Sequence, residues 1–171
     1  MAKTDFAERV VVCDAGPIIH LDEVGCLELL ADFTEVLVPN AVWKEVERHR
    51  PSALSSPVVA LSRTAPDLNL TSELQATARL FALHVGEIQA LQLATLKRTD
   101  LLLTDDTAAR LAARNLSIPV HGTIGILLRS IRRKQRSVIE VIEILRLLPT
   151  LSTLHIKQSL LDEILLDLEK E

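Results

Sequence analysis

Aromatic residues are scarce in this chain: they make up 2% of its 171 residues, and tyrosine is absent. The core must therefore be aliphatic. A base-stacking platform of the RRM or OB type needs several exposed rings and is excluded. Cysteine is equally sparse. Cys13 and Cys26 cannot frame a disulfide scaffold, and Cys13 lies in an apolar run where a buried, reduced thiol is expected. Positive charge is not in excess either: 19 Lys and Arg against 23 Asp and Glu leave a formal net charge of −4. That excludes attachment to nucleic acid by bulk charge and leaves room for a local basic patch. No uncharged run is apolar enough to span a membrane. Residues 1–12 carry Lys3, Asp5, Glu8 and Arg9, and their apolar stretch is too short for a signal peptide. The expectation is a cytoplasmic protein. The 48% hydrophobic and 25% charged residues are ordinary globular composition, at a length that suits one domain.

The hydrophobic pattern alternates between strand and helix. Val10-Val11-Val12-Cys13 reads as a strand buried on both faces, ended by Asp14-Ala15-Gly16-Pro17 and followed by Leu21, Val24, Leu27 and Leu30 at helical spacing. A second strand is expected over 35–38, then a helix over 41–48 with Asn40 as its N-cap. Residues 50–66, rich in proline and hydroxyl side chains, predict a loop with a short helix. Helices follow over 71–83, with Ser72 and Gln75 spaced as a capping box, and over 86–97. Leu101–Leu103 is a third strand, 107–115 a helix and 118–120 a fourth strand. This order predicts an α/β fold, a parallel-sheet α/β/α sandwich with a helical C-terminal extension. Residues 1–122 would form the α/β domain. Helices over 124–133, 138–148 and 155–168 would make residues 123–171 an extension packed on it. In the last helix Leu160, Leu161, Ile164, Leu165 and Leu168 share one face, for internal packing or for a partner.

In an open parallel sheet, ligands bind beyond the carboxyl ends of the strands. The first strand ends at Asp14 and the third at Asp105-Asp106. The second leads into a helix carrying Glu45, and Glu87 opens a helix straight after Gly86. Each acid alone has an ordinary role: Asp14, Asp105 or Asp106 as helix caps, Glu45 as a solvated residue, Glu87 as a first-turn acid favoured by the helix dipole. Together they would crowd one sheet edge. Two carboxylates about 4 Å apart repel by ~4 kcal/mol at an effective dielectric of 20. A hard divalent ion removes that penalty, so oxygen-only clusters suit Mg²⁺ or Mn²⁺ and phosphodiester chemistry.

The same residues resemble the motifs of PIN domains. Val11-Val12-Cys13-Asp14-Ala15-Gly16-Pro17-Ile18-Ile19 is similar to their opening. Val38-Pro39-Asn40-Ala41-Val42-Trp43-Lys44-Glu45-Val46 is similar to the second motif, a proline with a glutamate six residues on. Leu83-His84-Val85-Gly86-Glu87-Ile88-Gln89-Ala90-Leu91 and Leu101-Leu102-Leu103-Thr104-Asp105-Asp106 resemble the third and fourth, in order, over residues 10–122. Glu87 after Gly86 is similar to a subgroup with a Gly-Glu third motif, and Thr107-Ala108-Ala109-Arg110 stands where an aromatic usually follows the fourth acid. The resemblance implies a metal-dependent endoribonuclease that holds Mg²⁺ or Mn²⁺ on Asp14, Glu45, Glu87 and Asp105 or Asp106. It further implies a VapC-like toxin of a toxin–antitoxin pair, a homodimer with RNA as substrate and an antitoxin protein as partner.

Two rivals stand beside it: a non-catalytic module of the same fold that binds RNA or protein, and a receiver-type domain. The receiver needs a lysine after a later strand, where His121-Gly122 stands. Cations that could contact nucleic acid are Arg110 and, from a basic run, Arg129, Arg132 and Arg133; the same run could equally be a solvated helix end. His20, His49, His84, His121 and His155 show no zinc-ligand spacing.

Overall fold

The computed structural model describes residues 9–65 and 69–170. Five parallel strands form one sheet in the order β3-β2-β1-β4-β5: β1 (Val10–Cys13), β2 (Glu35–Pro39), β3 (Leu61–Thr64), β4 (Leu101–Leu103) and β5 (Val120–His121). β1 is central, with Val11 and Val12 opposite Val36 and Leu37 on one side and opposite Leu101 and Leu102 on the other. A strand with neighbours on both edges and helices on both faces has no solvent side, which is why it reads as an unbroken apolar run. The pleat divides the core. Val11, Cys13, Val36, Val38, Leu101 and Leu103 face one apolar layer; Val12, Leu37 and Leu102 face the other.

The first layer is covered by α1 (Ala15–Glu23), a 3-10 helix (Leu27–Asp32) and α2 (Asn40–His49), with α3 (Pro51–Leu54) beside them. The second is covered by α4 (Ser72–Leu80), α5 (Val85–Lys97) and α6 (Thr107–Asn115). The C-terminal helices α7 (Thr123–Arg132), α8 (Val138–Leu151) and α9 (Gln158–Leu168) return to the first layer. Their Ile126, Leu127, Val141, Leu145, Leu148, Leu161 and Leu168 belong to the same buried cluster as Val11 and Cys13. In α9, Leu161 and Leu168 are buried and Ile164 and Leu165 pack partly on the core, while Leu160 stays 48% exposed. Among the described residues no helix is long and apolar enough to cross a membrane.

Several local expectations shift. The expected loop over 50–66 supplies its short helix as α3 and also the edge strand β3; residues 66–68, and residues 1–8, where no signal peptide was expected, lie outside the described residues. β3 was hidden because Leu-Ser-Arg-Thr has no apolar run. Its place depends on backbone pairing with β2, Val36 to Leu61 through Pro39 to Thr64. β5 pairs at Val120 and His121 rather than over 118–120, because the Ile118 N–H is used by the Ala113 carbonyl and Pro119 has no N–H. Pro39, not Asn40, precedes α2 in the cap position, and Asn40 Oδ1 instead accepts from Arg63 Nε at 2.6 Å. Thr71 caps α4, accepting from the Leu74 N–H at 3.2 Å, and Ala82 at φ 51° stops the chain short of 83. α9 starts at Gln158, because Ser152 to Lys157 run as an extended strap between α8 and α9.

Candidate active site

From β1 the chain winds outward through β2 and β3, then returns to the other side of β1 with β4 and β5. The strand order therefore reverses at the β1–β4 junction, the place where open parallel sheets form their ligand crevice. The structure has a cleft of about 900 Å³ there. Asp14, Glu23, Glu45, Glu87, Asp105 and Asp106 all line it, and among the described residues no lysine or arginine does.

Asp14 follows β1, and its N–H is held by the Leu103 carbonyl of β4 at 2.8 Å. It stands in the cap position of α1, but its side chain makes no capping bond and instead accepts from Thr104 Oγ1 at 2.8 Å. Burial pushes the Asp14 carboxyl up to about 6. The Thr104 hydroxyl opposes the shift, and the charges of Glu45 and Glu87 add to it. Glu87, in the first turn of α5, turns back to accept from the His84 N–H at 2.7 Å. Its carboxyl is also raised, mainly by burial, with the His84 hydrogen bond opposing and the Asp106 charge contributing. Glu45 is exposed on α2. A Cβ at Gly86 would lie 3.4 Å from Val42 Cγ2 and 3.7 Å from Glu45 Oε2, ordinary contact distances that show how closely the Glu45 carboxylate of α2 lies to the start of α5.

The adjacent aspartates have different surroundings. Asp105 is held by three donors: the Thr123 N–H at 2.7 Å, Thr123 Oγ1 at 2.6 Å and the His20 ring at 2.8 Å. Asp106 caps α6 through one oxygen, accepting from the Ala109 N–H at 2.7 Å, and among the described residues no hydrogen bond engages the other. Asp106 is the aspartate whose charge acts on Glu87.

His20, Thr104, Thr123 and Glu23 carry no role in the motifs, yet they hold this site. His20, His49, His84 and His155, dispersed along the chain, line the cleft together. Thr104 had one visible signal, its place just before Asp105. Glu23 had none: it ends α1 and accepts from Ser152 Oγ at 2.8 Å and from the Thr153 N–H at 2.7 Å, which ties the strap across the cleft.

Three of the four arginines proposed for nucleic acid do not meet the acids. Arg129 and Arg133 both bind Asp32, at 3.1 and 3.0 Å through their Nε atoms, and Arg129 lies over the Phe33 ring. Arg132 sits beside Leu128, Ile131 and Asp167. Arg110 lies on α6 in a pocket adjoining the cleft.

The donor set is chemically suited to a hard divalent ion: carboxylate oxygens from separate elements, with no ammonium or guanidinium group among the described residues that line the cleft. Among the described residues, no three His, Cys, Asp or Glu side chains stand close enough together to grip one ion as they are arranged. The fit thus rests on donor type and on side chains with freedom to turn, Glu45 above all.

The DUF3368 family, a PIN domain, matches residues 10–170, which reaches from β1 through α9. No curated protein matches the chain. PIN domains are in general nucleases, hydrolases built on a parallel sheet flanked by helices such as this one. The match covers nearly the whole chain, and the parallel sheet with its flanking helices agrees with it: the chain belongs to the PIN-domain family.

Proposed function

We propose that this PIN domain is a metal-dependent endoribonuclease, and that it acts as the VapC-like toxin of a toxin–antitoxin pair, as a cytoplasmic homodimer. One observation carries the nuclease reading: six carboxylates line one cleft at the sheet's switch point, and among the described residues its lining includes no lysine or arginine. A protein that gathers like charges at this cost needs a cation from outside. The finer toxin reading rests on the motif resemblance alone.

Asp14, Glu45, Glu87 and Asp106 would hold Mg²⁺ or Mn²⁺. Asp105 is the weaker ligand candidate, because His20 and Thr123 already occupy most of its oxygen lone pairs. Bound there, a divalent ion would supply positive charge to phosphate oxygens and make water acidic enough to attack at neutral pH. The chain's own residues prepare the place. Thr104 orients the Asp14 carboxylate, and Asp105 joins α1 to the start of α7 through His20 and Thr123. Glu23 fixes the strap that walls one side.

Purified protein incubated with a mixed RNA pool should cut it in Mn²⁺, stop in EDTA, and fall silent as Asp14→Asn. A rival reading, a non-catalytic RNA- or protein-binding module, draws support from the lack of three converging ligands among the described residues. Undiminished RNA in all three reactions, together with no heat of Mn²⁺ binding in calorimetry, would decide for that rival.

A further inference from the structure

An acid-lined cleft repels the polyanion it is meant to cut, so a strand has to be gripped beside the acids rather than among them. The molecule has one neighbour suited to this. A pocket of about 590 Å³ adjoins the cleft and shares Asp105, Thr107, Leu154 and His155 with it. That volume is in the range of small-ligand sites. Arg110 and Lys157 line it, and neither is ion-paired among the described residues. This separates them from Arg129, Arg133 and Arg136, each of which has a carboxylate partner. Ile156, Leu160 and Ile164 form an apolar wall. Leu160, 48% exposed, is an apolar side chain of α9 that the core does not need. A glycine keeps the floor open: a Cβ at Gly122 would run into Asp105 Oδ1 and come within 2.8 Å of Arg110 Nη1.

Unpaired cations on one side and an aliphatic wall on the other match the two halves of a nucleotide. Guanidinium and ammonium groups suit phosphate, and flat bases cover apolar surface. Resting on the nuclease reading above, we propose that this pocket is a nucleotide subsite. It would take one nucleoside monophosphate unit of the single-stranded substrate next to the scissile phosphate, with the phosphate on Arg110 and Lys157 and the base against Ile156, Leu160 and Ile164. The strap and α9 build this pocket, so the C-terminal helices contribute to substrate binding as well as to the core.

The test is made in EDTA, so that neither metal nor cleavage enters. AMP, GMP, CMP and UMP are titrated into the full chain by calorimetry, and a ten-residue oligouridylate is then used as competitor. At least one nucleotide should saturate. R110Q and K157Q should each weaken it about tenfold, the loss of one charged hydrogen bond. L160D, at an exposed position where folding is not at risk, should do the same by placing a carboxylate on the wall. The oligonucleotide should displace the nucleotide. Absence of saturable binding, binding indifferent to all three substitutions, or an oligonucleotide that fails to compete would each overturn the subsite. The two readings fail separately. Nucleotide binding that depends on Arg110, in a protein that cuts no RNA, keeps the pocket and removes the nuclease. RNA cleavage with unchanged KM in R110Q and K157Q keeps the nuclease and removes the pocket.

Discussion

The cleft around Asp14 is lined by six carboxylates and, among the described residues, by no lysine or arginine, whereas around Asp32 the chain interleaves acids and bases. Asp32 takes both Arg129 and Arg133, and nearby Glu28 takes Arg136. Both clusters are visible as charged residues in the sequence, and they end in opposite states. The Asp32 cluster satisfies itself and fastens the 3-10 helix to α7. The Asp14 cluster leaves like charges unbalanced where a ligand can enter. A charge is available for function only when the fold has not already given it a partner, and sequence proximity does not reveal which applies.

The sharpest way to break this contrast is to remove one unbalanced acid. On the proposed function, Asp14→Asn should lower RNA cleavage in Mn²⁺ at least about a hundredfold, the upper end of what even an outer-shell partner of a metal is worth. Circular dichroism should show an unchanged fold. The same variant should be more stable than the wild type when metal is absent. A folded carboxyl raised from 3.8 to about 6 contributes its stability below about pH 4 and loses it as pH rises through 6. At about 1.4 kcal/mol per unit, the ionised Asp14 costs up to about 3 kcal/mol at pH 8. Urea unfolding in EDTA should therefore favour Asp14→Asn at pH 8 and show no such gain at pH 4. Added Mn²⁺ should raise the Tm of the wild type and leave that of Asp14→Asn nearly unchanged.

On the balanced side the sign reverses. Arg129→Ala should destabilise the fold by about 2 kcal/mol. Removing one partner from a buried pair costs more than this, but Arg133 stays on Asp32 and softens the loss. Cleavage per folded molecule should be unaffected. Gly122→Ala should cost about 1–3 kcal/mol through overpacking against Asp105 and Arg110, and should lower cleavage with it. Arg132→Ala, exposed and without an ion pair among the described residues, should change stability by less than about 0.5 kcal/mol in the same unfolding series. A large drop in RNA affinity for that variant would move the nucleic-acid path from Arg110 towards α7.

Much of the fold is legible in the chain because β1, β2 and β4 are runs of Val and Leu, and buried parallel strands demand such runs. β3 is not legible. Its Leu-Ser-Arg-Thr becomes a strand only because β2 has a free edge beside it. The acids were legible because strand ends are marked by Asp14-Ala15-Gly16-Pro17 and by Thr104-Asp105-Asp106. Their division of labour was not. Asp105 and Asp106 are neighbours of identical chemistry, and only Thr123 and His20, far away in sequence, make one a structural bracket, while the other lines the cleft and caps α6 through one oxygen.

Local pattern determined the alternation of strand and helix, the parallel sheet and the acids at its carboxyl edge, since each depends on residues within a few positions of one another. Tertiary structure alone decided which charges cancel, how four separated histidines and Glu23 come to one cleft, and where the strap before α9 builds a second pocket. Those outcomes depend on distances across the sheet, which Coulomb and hydrogen-bond energies sense directly and the order of residues along the chain does not encode.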